Sequence, residues 1–159
     1  MAATRRMGPQ DSATSAALLD ATERVLRNEG YGAATSRRIA AEAGVKQQLV
    51  YYYFRTMDEL LLAAFKRRTA RALARLEEDV AAERPIQAIW ENLTAMVDGK
   101  LAFEFVALAN HHEGIREEVA RFMATSRRME AGAIARQFEE HGIAPGPCSP
   151  AAVAFIMYC

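Results

Sequence analysis

The sequence predicts an all-α protein: a small three-helix head followed by a helical body. Apolar residues recur at three- and four-residue spacing along nearly every segment, and no stretch alternates with the period of a strand. Capping residues (Thr35, Thr56, Ser149) and stopping or turning glycines (Gly30, Gly44, Gly142) divide those segments. The composition, 51% hydrophobic and 25% charged, is that of a folded globular chain rather than a disordered one. At 159 residues, a chain of this size buries roughly 70% of its unfolded surface.

The elements follow in order. Ser15 to Glu29 places Leu18, Thr22, Val25 and Leu26 on one face, with Gly30 as the stop. Thr35 caps a second helix through Glu42, with Ile39, Ala40 and Ala43 facing inward. Gly44 supplies a sharp turn, and a third short helix runs from about Lys46 to Phe54. Thr56 and Glu59 form a capping box opening a long helix, Met57 to Glu83, with Pro85 ending it. Such a helix spans roughly 40 Å. Ile86 to Asp98 and Lys100 to Ala109 follow; the second is apolar nearly all round and is expected inside a bundle. Ile115 to His141 carries Ile115, Val119, Phe122, Met129 and Ala133 on one seam, and Gly142 stops it. After a loop, Ser149 and Pro150 open a last helix as N-cap and first residue.

Several functional classes lack support. Residues 1–14 contain Arg5 and Arg6 but no apolar signal region, so they read as a flexible arm. No run is apolar enough to span a bilayer. Cys148 and Cys159 form no paired motif, and a reduced, cytoplasmic setting is expected. Asn110-His111-His112-Glu113 is expected to be a polar turn rather than a metal site, because adjacent helical histidines point about 100° apart and no ligand-spaced pair exists. No catalytic constellation or phosphate-cradling loop is present in the sequence, so neither an enzyme nor a cofactor is expected. Charge is uneven: residues 1–56 hold eight Lys+Arg against five Asp+Glu, and residues 57–159 hold twelve against fifteen. A basic head on an acidic body suits a polyanion at one end.

The helix, glycine turn and helix from Thr35 to Phe54 form a candidate helix-turn-helix, whose second helix would lie in a major groove. Val45 and Val50 would pin that helix to the first. Lys46, Gln47 and Gln48 stand at its N-terminal end, where base edges are read. Gln pairs bidentately with adenine, and Lys reaches guanine. The hydroxyls of Tyr51 and Tyr53 are expected at phosphates.

The string TSRRIAAEAGVKQQLVYYYFRTMDELLLAAF resembles the signature of the TetR family of transcriptional regulators. The likeness runs from about Ser15 to Phe65. It implies that Lys46, Gln47 and Gln48 read bases, and that Thr35 and Arg37 touch phosphate or an adjacent base. It also implies that Tyr51 and Tyr53 contact phosphate, and that Tyr52 and Phe54 pack. Three positions depart from the signature: Lys46 replaces a Ser or Thr cap, Tyr53 replaces a histidine, and Met57 replaces a phosphate-binding lysine for which Arg55 partly compensates.

The resemblance further implies the organisation. Residues 15–57 would be the helix-turn-helix DNA-binding domain, and residues 58–159 a helical-bundle body for ligand binding and dimerisation. The partners it implies are a double-stranded, pseudo-palindromic DNA operator, a second copy in a homodimer and a small-molecule effector that releases a repressor. Trp90, Met96, Phe103 and Phe122 are the expected border of an apolar effector cavity. The final helix reads AAVAFIMYC without a closing signal, so the body is expected to be incomplete at its C-terminus and to dimerise weakly alone. The competing reading is a helical ligand-binding or interaction module whose head no longer binds DNA, for which Met57 is the supporting feature.

Overall fold

The computed structural model describes residues 12–95, 99–144 and 149–156, and among them there is no strand. Eight α-helices are described: α1 (Ala13–Glu29), α2 (Ser36–Glu42), α3 (Gln48–Tyr53), α4 (Met57–Ala81), α5 (Pro85–Ala95), α6 (Gly99–Ala109), α7 (Glu113–Glu140) and α8 (Pro150–Ile156). They form two compact units. The first draws on Met1–Arg67 and Asp98–Arg116, the second on Arg68–Val97 and Glu117–Cys159. The sequence boundary at 57/58 follows chain order, whereas compactness groups α6 with the head.

In the first unit α1 packs against both α2 and α6. Leu18, Val25 and Leu26 of α1 are fully buried, as are Ile39, Val50, Leu60, Leu101 and Phe105. The Phe65 and Phe105 rings lie 4.8 Å apart between centroids. Ion pairs cross the outside of this core: Arg67 on α4 reaches Asp20 at 2.6 Å and Glu23 at 2.9 Å on α1. Burial disfavours the charge on Arg67, but the bonds to Glu23 and Asp20 outweigh it, so the guanidinium holds its proton above the ordinary arginine value.

The expected caps form, with small shifts. Ser12 caps α1 through the Ser15 amide, two residues earlier than the periodicity indicates. Thr56 Oγ1 accepts the Glu59 amide at 3.1 Å, but the Glu59 carboxylate returns to the Arg55 amide at 2.8 Å, one residue before the cap. Helix α4 ends at Ala81, and Pro85 opens α5 instead of closing α4. Proline's fixed φ and missing donor suit that first helical position. Gly30 closes α1 at φ +80°, and a Cβ there would stand 3.3 Å from Glu104 Oε1, the carboxylate that accepts the Tyr31 amide at 3.0 Å.

Helix α6 corrects its expected surroundings. Leu101, Phe105, Leu108 and Ala109 are buried, while Phe103 and Val106 on the opposite side are exposed within their unit. An apolar sequence on every side does not place every side in a core.

In the second unit Leu76, Ile89 and Ala133 form a small cluster, with Val80, Leu93 and Met129 packed against it. Polar groups share this interior: Thr69 Oγ1 donates to Glu118 Oε1 at 3.0 Å, and Asn92 donates to Asp79 at 2.6 Å. Pro150 opens α8, and Ser149 Oγ accepts the Ala152 amide at 3.2 Å.

Candidate nucleic-acid interface

The interface is built from α2, the Gly44 turn and α3. Thr35 is extended and its Oγ1 accepts the Arg38 amide at 3.2 Å, so α2 starts at Ser36 with one orphan donor satisfied. At Gly44 φ is +68°, and the Val45 amide returns to the Ala40 carbonyl at 2.9 Å. Residues with a Cβ avoid that left-handed geometry, which is why glycine stands there. Val50, fully buried, and Phe54, 3% exposed, anchor α3 to the core.

Those anchors are four residues apart and define the inner face of α3. Tyr52 lies two residues from Val50, about 200° around the helix, and therefore faces out. It is 45% exposed, which corrects its expected packing role; Phe54 keeps that role. Tyr53, three residues from Val50, is half-buried, and its ring meets Tyr52 edge-on at 5.0 Å. Tyr51 is 43% exposed.

Lys46, Gln47, Gln48 and Tyr51 line one open concavity. Gln47 occupies the N-cap position of α3 but makes no capping bond. Its Nε2 donates instead to Ser36 Oγ at 2.9 Å, and the Tyr51 hydroxyl donates to the same oxygen at 3.0 Å. Arg37, Lys46 and Arg55 are exposed, as is Thr35.

Neighbouring arginines have a different task. Arg38 reaches Glu29 at 2.6 Å and Glu42 at 2.9 Å, and Arg24 reaches Glu42 at 2.8 Å. The Arg38–Glu29 and Arg24–Glu42 pairs tie α2 to α1, while Arg38–Glu42 lies within α2. The bonds to Glu29, then to Glu42, raise the Arg38 pKa, and those from Arg24, then Arg38, lower the Glu42 carboxyl below its ordinary value. Among the described residues 35–55, Arg37, Lys46 and Arg55 are the cations left exposed, whereas Arg38 is held in ion pairs.

The expected effector residues fall in different places. Trp90, 52% exposed, and Phe122, half-buried, belong to the second unit. Phe103, 76% exposed, belongs to the first, and Met96 lies outside the described residues. Among the described residues no group of His, Cys, Asp or Glu is placed to hold a metal ion. His112 instead meets Asp58 at 3.2 Å and the Tyr31 hydroxyl at 3.2 Å. No described helix is long and apolar enough to cross a membrane.

Sequence reasoning missed two residues. Tyr52 was recoverable from its angle to Val50. Ser36 carried no signal beyond its place beside the Thr35 cap, because nothing in the spacing pairs it with residues 11 and 15 positions later.

Residues 18–64 match the family described as bacterial regulatory proteins, tetR family. The chain is 32% identical over 63 residues to the fatty acid metabolism regulator protein of Bacillus subtilis, covering 40% of this chain and 32% of that one. It therefore spans about a third of the length of that curated relative. Among solved structures, a TetR transcription regulator from Haloarcula marismortui superposes with a TM-score of 0.77 at 22% identity, over 90% of this chain and 79% of the other. The transcriptional regulator FadR from Bacillus subtilis, in complex with stearoyl-CoA, gives 0.60 at 18% identity, over 91% and 81%. These likenesses extend the shared all-α fold well beyond the matched domain.

Proposed function

We propose that the chain, whose residues 18–64 match the family described as bacterial regulatory proteins, tetR family, is a transcriptional regulator of that family that binds a pseudo-palindromic DNA operator as a homodimer. One observation carries this reading: Lys46, Gln47, Gln48 and Tyr51 line a single concavity on a helix pinned to the core from behind. Base-reading side chains must project from a rigid backbone, and phosphate contacts must set the register before bases are read. Gln47, Gln48 and Lys46 are the base readers. Thr35, Arg37, Tyr51, Tyr53 and Arg55 are the flanking contacts.

The second unit supports the rest of the proposal. Its buried apolar residues among those described are Leu76, Ile89, Ala133, Ile134 and Ala154, and Trp90, Met123, Phe155 and Ile156 are exposed. A thin core with outward apolar side chains suits a body that completes its burial with a second copy and an apolar effector. Dimerisation places two recognition helices on half-sites about one helical turn apart. Effector binding then acts as repressor release: it shifts α4, through which the chain passes from one unit to the other, and spoils that spacing. Trp90 and Phe122, both in the second unit, remain proposed effector contacts.

The test is a titration of duplexes tiling the DNA upstream of the chain's own gene. One tile should bind at least about a thousandfold more tightly than random DNA. Equal, weak, salt-sensitive binding to every tile would leave only a non-specific polyanion surface. Trp90 is the sole tryptophan. A compound that releases the bound tile should therefore change its fluorescence, and release with no change would place the effector elsewhere.

A further inference from the structure

Ser36 is 7% exposed and begins α2, yet its hydroxyl oxygen receives hydrogen bonds from two side chains of the other helix. A serine hydroxyl offers two acceptor positions and one donor. Gln47 Nε2 at 2.9 Å and the Tyr51 hydroxyl at 3.0 Å take both acceptor positions. The proton on Ser36 is engaged by neither.

Each bond has a consequence at the surface. With one Nε2 proton directed at Ser36, the Gln47 amide cannot turn over freely. Its second N–H and its carbonyl oxygen remain, the donor and acceptor needed to pair with adenine. The orientation of that pair is set before DNA arrives. Tyr51 is in the opposite position, because its proton points inward and a phosphate oxygen only accepts. Tyr51 can donate to phosphate once Ser36 reverses its role and donates its own proton to the Tyr51 oxygen. The result is one chain: Gln47 N–H to Ser36, Ser36 O–H to Tyr51, Tyr51 O–H to phosphate. Each hydroxyl keeps its proton, and the bonds along such a chain polarise one another.

We propose that Ser36 is the positioning residue of the recognition helix, coupling the base reader Gln47 to the phosphate contact Tyr51 through one buried hydroxyl without itself touching DNA. This rests on the DNA-binding reading above and deepens it: backbone engagement through Tyr51 and base readout through Gln47 are one event, not two independent ones.

The experiment uses the whole chain and two probes: a duplex enriched by the wild-type chain from a randomised library, and an unselected random duplex. Ser36→Ala should weaken binding to the enriched duplex by about tenfold, near the upper range for a typical hydrogen bond, and to the random duplex by less. Ser36→Thr, which keeps the hydroxyl, should bind more tightly than Ser36→Ala. In a chain carrying Gln47→Ala and Tyr51→Phe, adding Ser36→Ala should change affinity by less than about twofold, because its two partners are gone. The Gln47→Ala and Tyr51→Phe effects should also be non-additive in the wild-type background, a measurement that leaves Ser36 untouched. Additive effects there, or an undiminished Ser36→Ala loss in the doubly substituted chain, would overturn the coupling while leaving DNA binding intact. Failure of the wild-type chain to enrich any duplex would overturn the DNA-binding reading and the coupling with it.

Discussion

The two units differ in what stands behind their functional surfaces. In the unit that holds α3, Val50 is fully buried, Phe54 is 3% exposed, and α1 buries Leu18, Val25 and Leu26. In the second unit the described buried apolar residues are fewer, Leu76, Ile89, Ala133, Ile134 and Ala154, and Trp90 stands half exposed. Buried polar groups occur in both units, Ser15, Thr22, Glu23 and Ser36 in the first and Thr69, Glu118, Ser126 and Glu130 in the second. A reading surface must hold side chains at fixed positions, and close packing does that. A body that changes state with a ligand or a partner does better with apolar surface still to be covered. The contrast separates a part with a large apolar core from one whose core is small beside the apolar side chains it leaves outward, as the proposed association would require.

The largest expected effect tests that contrast directly. Phe54→Ala should cost about 3–5 kcal/mol, the usual range for deleting a buried aromatic ring, and should abolish DNA binding along with the fold of the head. Trp90→Ala, at a half-exposed site, should cost less than about 1 kcal/mol in chemical denaturation of the same chain. Similar losses at both positions would show that Trp90 is as much a core residue as Phe54, and the contrast would fail.

Next is the surface itself. Gln48→Ala should cost about 1–3 kcal/mol of binding at one operator position and relax the choice of base there. Tyr53→Phe should weaken binding evenly across sequences, since a phosphate contact carries no sequence information. Competition with singly substituted operators would check both. A flat profile for Gln48→Ala would remove it from the base readers.

The legibility of the sequence follows the same division. Local rules gave the head: the Thr35 cap, the Gly44 turn and the inward set Ile39, Ala40 and Val50 depend on neighbours a few residues away. The grouping of α6 with the head was not legible, because it depends on which remote helix the apolar face of α6 meets. For the same reason LAFEFVALA read as buried all round, although Phe103 and Val106 face outward within their unit. The candidate readers were legible by resemblance. The bond geometry around Ser36 was not, since it joins residues across the turn.

The two glycine turns of the head should separate backbone strain from crowding. Gly44 has φ +68° and no atom within 4 Å of the place a Cβ would take, so Gly44→Ala should cost about 1–2 kcal/mol from the left-handed backbone alone. Gly30 has φ +80° with ψ 175°, a region essentially restricted to glycine, and the Glu104 carboxylate 3.3 Å from the corresponding place, so backbone strain and crowding together should make Gly30→Ala cost more. Adding Glu104→Ala to Gly30→Ala should not worsen it by the full cost of Glu104→Ala alone. Full additivity of Gly30→Ala and Glu104→Ala would show that Glu104 yields without penalty and that the cost at Gly30 is backbone strain alone.

The smallest effect concerns the ion pairs that tie α2 to α1. Glu42 accepts from Arg24 at 2.8 Å and from Arg38 at 2.9 Å, and these bonds, Arg24's first, hold its carboxyl below the ordinary value of 4.5. A carboxyl whose pKa is lowered by folding adds stability above its unfolded pKa, and that contribution fades as pH falls through the folded value. The contribution should therefore be complete at neutral pH and decline below about 4.5, in the direction of acid destabilisation. Because the pairs are solvated, salt should shrink the effect, unlike the core losses above. Thermal unfolding at pH 7 and at pH 3.5, for the wild type and Glu42→Gln, reads it: the wild-type advantage at pH 7 should narrow at pH 3.5. An advantage that persists undiminished in acid would mean that Glu42 holds α2 by packing and hydrogen bonding available to the neutral group, and that the Glu42 contribution owes nothing measurable to charge.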